Sequence, residues 1–151
     1  MRPSPMTSLV IHSSPSLASA VELLQRVGLP TTDLTEAYLA HFFYCGPPST
    51  PSGLIGLELH GSDALLRSLV VTPELRSSGL GGALVDHVEV YASGAGVRSI
   101  YLLTTTAELF FRRRGYVLAD RLSAPARIRR TSEFADICPA SSAFMVKYLV
   151  S

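Results

Sequence analysis

The residues best suited to chemistry lie in one run, Leu69-Val70-Val71-Thr72-Pro73-Glu74-Leu75-Arg76-Ser77-Ser78-Gly79-Leu80-Gly81-Gly82-Ala83-Leu84-Val85. An apolar strand passes through a turn marked by Pro73 into a glycine-rich turn, which opens directly into a helix with apolar periodicity. The first turn of a helix leaves backbone N–H groups without helical partners, and they converge at the positive end of its dipole. Such a turn binds anions, phosphate most naturally. Gly79, Gly81 and Gly82 carry no Cβ, so a bulky phosphate can approach the main chain itself. Arg76 adds a permanent charge at the edge of the turn. The anion-holding set is therefore Arg76, Ser77, Ser78, Gly79, Leu80, Gly81 and Gly82.

A Walker loop ends in Gly-Lys-Ser/Thr, whereas this run reads Gly82-Ala83-Leu84. A dinucleotide fingerprint needs glycine where Leu84 stands, and the usual acidic residue on a following strand is not evident. What remains is Arg-x-x-Gly-x-Gly preceded by Val-x-Pro. That combination resembles the acetyl-CoA motif of the GNAT N-acetyltransferase superfamily, in which backbone amides of the turn hold the CoA pyrophosphate. The plain alternative is a glycine-rich β–α turn with a solvated arginine. Strand, proline, arginine and helix in the right order favour the cofactor reading.

Strand parity predicts a second set. In Leu54-Ile55-Gly56-Leu57-Glu58-Leu59-His60, the residues Ile55, Leu57 and Leu59 share one face, and Glu58 and His60 point the other way. A tight hairpin over Gly61 to Ala64, with Leu59 opposite Leu66, sets Glu58 near Arg67, flanked by Leu57, Leu59, Leu66 and Leu69. The pair can be an ordinary cross-strand salt bridge. It can equally clamp a zwitterion, with Arg67 taking a carboxylate or oxyanion and Glu58 taking or deprotonating an ammonium. His41, His60 and His87 are further candidates for a base, whereas His12 ends a strand. Arg112-Arg113-Arg114 reads as a helix end favoured by the dipole, or as a contact to the CoA 3′-phosphate. Arg127, Arg129 and Arg130 alternate along a loop or strand edge that can line the acceptor cleft. Cys138 invites a metalloid, but soft-ligand binding wants several thiolates and Cys45 lies on an early strand, so no metal site is expected.

The elements that must position these groups follow from periodicity. Met1 to Thr7 reads as a loose leader and Ser8 to His12 as a short strand. Ser16 to Val27 is helical and stops at Gly28, and Thr35 to His41 is a second short helix. Phe42 to Cys45 is a strand, followed by a proline-rich loop from Gly46 to Gly53. Strands are expected over Leu54 to His60, Leu65 to Val71, Ser99 to Leu103, Tyr116 to Leu118 and Phe144 to Leu149. Helices are expected over Gly79 to Ala92 and Ala107 to Arg113, the latter closed by Gly115. This order implies an α/β fold, a mixed central sheet of six to seven strands with helices on both faces.

At 151 residues the chain is long enough for one domain with a real core. It is 47% hydrophobic and 17% charged, which predicts a folded globule rather than disorder. A formal net charge of +1 offers no single-signed field for nucleic acid or an anionic membrane. Two cysteines are too few for a disulfide framework, nothing resembles a signal peptide, and the apolar runs fall short of a membrane span. A cytoplasmic protein is expected.

The resemblance extends to Thr104-Thr105-Thr106-Ala107-Glu108-Leu109-Phe110-Phe111-Arg112-Arg113-Arg114-Gly115-Tyr116, which looks like the GNAT segment whose helix carries an aromatic pair and ends at Gly-aromatic. It covers the chain from about Ser8 to Leu149 and is strongest from Leu65 to Tyr116. It implies one N-acetyltransferase domain over residues 1–151, with acetyl-CoA as acetyl donor. It also implies that the pantetheine arm pairs with the strand edge at Val70 and Val71, and that a backbone N–H there, mapped to Val70 or Val71, stabilises the oxyanion. Many members carry a Tyr as general acid where this chain has Phe111, and an Asn where it has Thr104; both positions belong to the cofactor-binding set. Thiolate is a tolerable leaving group at neutral pH, so a missing acid does not forbid transfer. Three phrases are similar to bacterial arsenic-resistance N-acetyltransferases: Ala64-Leu65-Leu66-Arg67-Ser68-Leu69, Leu102-Leu103-Thr104-Thr105-Thr106-Ala107, and Glu133-Phe134-Ala135-Asp136-Ile137-Cys138-Pro139-Ala140-Ser141. They imply an amine or amino-acid-like acceptor, arsenic-containing in the narrowest version, and leave a homodimer open. The competing function is a non-catalytic acyl-CoA-binding module.

Overall fold

Alternation along the strands builds two cores on one sheet. Ile55, Leu66, Ile100, Leu102 and Met145 face one side, and their neighbours Leu54, Leu65, Tyr101, Phe144 and Val146 face the other. The computed structural model describes residues 10–29, 31–76, 78–137 and 142–149. The expected leader, Ser77 and Cys138 lie outside the described residues.

The strands are β1 (His12–Ser13), β2 (Phe42–Cys45), β3 (Gly53–His60), β4 (Asp63–Val71), β5 (Ser99–Thr104), β6 (Val117–Leu118) and β7 (Ala143–Tyr148). They form one sheet in the order β1-β2-β3-β4-β5-β7-β6. Only the β4–β5 pair is parallel. The mixed α/β architecture is as expected. Helices α1 (Leu17–Arg26) and α2 (Glu36–Leu39) cover one face, and α3 (Leu80–Gly94) and α4 (Glu108–Arg113) cover the other. A short helix α5 (Ala126–Arg129) joins the α1 side through Ile128.

Helix limits have local causes. Ser16 caps α1, its Oγ accepting the Ser19 N–H at 3.2 Å, and Gly28 closes it at φ +78°. Leu80, Leu84, Val85, Val88 and Ala92 put the buried stripe of α3 at helical spacing.

The decisive feature is where β4 and β5 part. They pair only at Asp63↔Ser99, Ala64↔Ile100 and Leu65↔Tyr101. Beyond that, β3–β4 register runs Gly56↔Arg67 and then Leu54↔Val70, so Ser68 and Leu69 together oppose Ile55. Ser68 sits at φ +61°, the signature of a bulge that bends its strand. Meanwhile β5 stays with β7 as far as Thr104↔Ala143. A wedge therefore opens between them.

Three expectations are corrected. The described part of the first strand is His12–Ser13. The β3–β4 turn is two residues, Gly61 and Ser62, so Leu59 faces Ala64 instead of Leu66. Arg127 and Arg129 lie on α5, which Arg130 caps, because Pro125 starts a helical turn there.

Gly56 has a packing reason. A Cβ there would overlap the ring of Phe42, which is fully buried on β2. We expect Gly56→Ala to cost about 1–3 kcal/mol by overpacking, read as a lowered urea midpoint; an unchanged midpoint would mean that the ring can yield.

Candidate active site in the strand wedge

The wedge holds a cleft of about 410 Å³. Leu66 to Leu69 of β4 form one wall, and Leu102 to Ala107 with Phe111 form the other. Gly28 and Leu29 after α1, together with Glu133 and Ser142, close its end. Thr104 Oγ1 accepts the Ala107 N–H at 2.9 Å and so shapes the entry to α4. Phe111 is buried, its ring meeting Phe110 and Tyr116 edge to face at 5.0 and 5.4 Å. Tyr116, the nearest phenol to Phe111, is held neutral far above its usual range by burial and by the carboxylate of Glu89, which accepts its hydroxyl at 3.0 Å.

The glycine turn lies at the end of β4, past the cleft walls. Gly79 caps α3 at φ +89° with no side-chain cap, and no acidic residue occupies the first turn of α3. Ser78 Oγ accepts the Leu80 N–H at 3.4 Å, and the positive end of α3 has no carboxylate in its first turn. Arg76 Nε donates to the Val71 carbonyl at 3.1 Å, which fixes an exposed guanidinium beside the turn. Ser78 Oγ donates to the Leu75 carbonyl at 2.5 Å. A Cβ on Gly81 would sit 3.5 Å from Phe110, in ordinary contact, whereas one on Gly82 would press on Arg114 at 2.7 Å. Arg114 crosses Gly82, pairs with Asp86 and lies 6.0 Å from the centre of the Phe110 ring. Arg112 pairs with Glu108 at 3.0 Å. The Val70 side chain is buried in the α1-side core, and Val71 packs on the α3 side.

Glu58 and Arg67 do meet, at 2.7 Å, but as diagonal neighbours, since Glu58 directly faces Leu65. The register differs from expectation by two residues, an even slip that keeps every side chain on its face. Leu57, Leu59, Leu66 and Leu69 belong to the opposite, α3-side core, so they do not flank the pair. Instead Arg67 gathers two further carboxylates. Asp33 takes it in bidentate fashion at 2.5 and 2.8 Å, and Glu133 Oε2 is 3.4 Å from Nη2. Nε donates to Ser68 Oγ at 3.2 Å. Burial by itself would lower the pKa of this guanidinium, but the hydrogen bonds and charges of Asp33, Glu133 and Glu58 prevail and raise it. Four N–H groups of Arg67 thus have hydrogen-bond acceptors within the chain, and Glu133 adds an ion pair at Nη2. The same surroundings, burial first and then Glu58 and Asp33, push the Tyr38 phenol upward.

Glu58 turns its other oxygen to His60 Nε2 at 3.2 Å and lines a second cleft of about 260 Å³ with Tyr38, His60, Arg127 and Arg130. The carboxylate on the wedge wall is Glu133. Sequence reasoning missed Asp33, which follows α1 in a turn without parity. In the sequence Glu133 stands out only through its place in a phrase similar to the arsenic-resistance enzymes. His41 bonds the Tyr91 hydroxyl at 2.7 Å and His87 packs on Phe43, so both are engaged in the α3 side of the fold. Cys45 is buried, which pushes its thiol pKa up.

Removing the central cation should be severe. Arg67→Met leaves three carboxylates gathered without their countercharge, and we expect a loss of about 3–5 kcal/mol at pH 7, read by urea unfolding. A loss below about 1 kcal/mol would show that the cluster is as weakly coupled as surface pairs are.

Comparison with known proteins agrees with this geometry. An amino-acid acetyltransferase of Pseudomonas paraeruginosa is 39% identical over 51 residues, which are 34% of this chain and 12% of that protein. The chain thus spans a small part of the curated relatives it first matches. The N-acetylglutamate synthase of Neisseria gonorrhoeae, complexed with coenzyme A and L-arginine, superposes with a TM-score of 0.78 at 19% identity, over 95% of this chain and 34% of that one. An acetyltransferase of the GNAT family from Staphylococcus aureus gives 0.75 at 18% identity, over 95% of this chain and all of that one, 100%. Residues 39–118, more than half of the 151, match the model of the acetyltransferase (GNAT) domain, and the chain belongs to that family.

Proposed function

We propose that the chain transfers the acetyl group of acetyl-CoA to the amino group of a small, amino-acid-like acceptor, with both bound at once in the wedge. The observation that carries this reading is the parting of β4 and β5 beside a glycine-led helix start with no acidic residue in its first turn. Past Leu65 the β4 edge loses its β5 partner, so alternate N–H and C=O groups point into the wedge and can pair with an extended amide chain such as pantetheine. The turn from Arg76 to Gly82 would receive the pyrophosphate. A wedge-facing backbone N–H at Val71 would meet the oxyanion, a donor fixed before the charge develops, whereas Val70 pairs with Leu54 and turns its N–H to β3. The amine must arrive or become neutral to attack, which calls for a carboxylate or a water relay nearby. Burial of Phe111 leaves no proton donor at its position, so the thiolate departs with a proton from another source.

Relatives named for amino-acid acetylation support the acceptor class. An arsenic-containing acceptor rests on the three sequence phrases alone. Phe111 favours a second reading, a CoA-binding module without catalysis. Thiol release from acetyl-CoA across a panel of amino acids and small amines separates the two, since a module would bind the cofactor in calorimetry and release none.

Two variants sharpen the test. Gly81→Val should weaken acetyl-CoA binding at least tenfold by blocking the approach of the phosphate to the turn; unchanged affinity in a folded variant would remove the glycine turn from the cofactor site. Phe111→Tyr should leave turnover unchanged or raise it, and abolished turnover with CoA binding intact would show that the bare ring is itself required.

A further inference from the structure

Asp33, Glu58 and Glu133 converge on one buried guanidinium, with His60 on the far oxygen of Glu58 and Arg127 and Arg130 lining the cleft beyond it. Arg67 and Glu133 face the wedge. A buried carboxylate in a poorly hydrated wall favours a cation in the adjoining space. An amine acceptor at neutral pH is such a cation.

The same wall holds a hydroxyl with nothing to bond. Ser142 is 6% exposed and lines the wedge beside Glu133, and its Oγ has no hydrogen-bond partner among the described residues. Buried groups of this kind are rare in native proteins and usually have a functional reason. The position is braced. Arg121 Nη2 donates to the Ser142 carbonyl at 2.8 Å, and the same guanidinium lies 5.5 Å from the centre of the Phe134 ring, next in sequence to Glu133. One arginine thus ties both ends of segment 133–142 to a single wall.

We propose that Glu133 and Ser142 form the amine end of the acceptor subsite, Glu133 receiving the ammonium and its proton and Ser142 Oγ accepting a remaining N–H. The proposal rests on the acetyl-transfer reading and deepens it. The subsite selects a primary amine by its positive charge and makes no demand for a carboxylate, because Arg67 is already paired with three carboxylates of the chain. In the transfer, the ammonium gives one proton to Glu133, which passes it to water. The freed nitrogen lone pair forms the C–N bond at the thioester carbon, and the C–S bond breaks. The sulfur leaves with the bonding pair and takes a second proton from nitrogen, giving amide, thiol and one proton released.

The test compares wild type, Ser142→Ala and Glu133→Gln with matched acceptors, amino acids and the corresponding simple amines, by thiol release, calorimetric binding and thermal melting. Ser142→Ala should raise the acceptor KM about three- to tenfold, leave the acetyl-CoA KM unchanged, and leave Tm level or higher, because it removes an unpaired buried group. A parallel fall of Tm and activity, or an unchanged acceptor KM, overturns the role of Ser142. Glu133→Gln should lower kcat/KM at least tenfold at pH 7, with the deficit shrinking toward pH 10 as the amine arrives neutral. The charged and titratable groups near Glu133 include Arg67 from β4, with Glu58 from β3, Asp33 before α2 and Tyr38 on α2 beyond it, and Arg121 beside Phe134 and Ser142. A deficit independent of pH, or a strict need for the acceptor's carboxylate, overturns the assignment. Amines that bind wild type more tightly than both variants without any thiol release would keep the subsite and sink the transfer reading.

Discussion

The arrangement depends on a parallel pair that lasts three residues. Parallel neighbours cannot be joined by a tight turn, so the chain leaving β4 must cross over through a helix before returning as β5. That crossover is α3, and its start therefore lies at the end of β4. The bulge at Ser68 then bends β4 away while β7 holds β5 in place. One topological requirement and one bulge together yield an open strand edge and a helix N-terminus beside it. No side chain needs to be specialised for this, which explains how so much of the cofactor end is backbone.

The proposed acceptor end is built differently. It rests on a buried polar cluster contributed by distant parts of the chain: Asp33 between α1 and α2, Glu58 on β3, Arg67 on β4 and Glu133 after α5. In the sheet interior a lone guanidinium would be strongly disfavoured, and so would each carboxylate. Mutual pairing makes their burial tolerable, and it also fixes how the segments on either side of the wedge sit relative to one another. Charge pairing here serves to set register and shape more than to add stability.

What could be read from the sequence divides along the same line. Local signals carried the secondary structure well: β2 matches its expected span, and Ser16, Gly28, Gly79 and Gly115 stand at helix ends as their types imply. Parity placed Glu58 and Arg67 on one face, and an even register error left that result intact. What escaped was long-range. Asp33 and Glu133 carry no periodic mark, and only the fold brings them to Arg67. The alternating arginines 127, 129 and 130 looked like a strand edge because a four-residue helix is too short to show a period.

Stability and activity pull against each other at identifiable atoms. Ser142 Oγ and Arg114 Nε are buried without partners among the described residues. Each is unfavourable in the unliganded protein. The two-sided core absorbs this, with Leu84, Val88, Ile100 and Met145 fully buried on one face and Leu24, Phe42, Leu54 and Leu65 on the other. Arg114 sits where α4 meets the start of α3, and Ser142 sits where segment 133–142 meets the wedge, so the unpaired groups lie at the edges of the two expected binding regions rather than inside either core. Their placement fits a protein whose polar inventory is completed only when the wedge is filled.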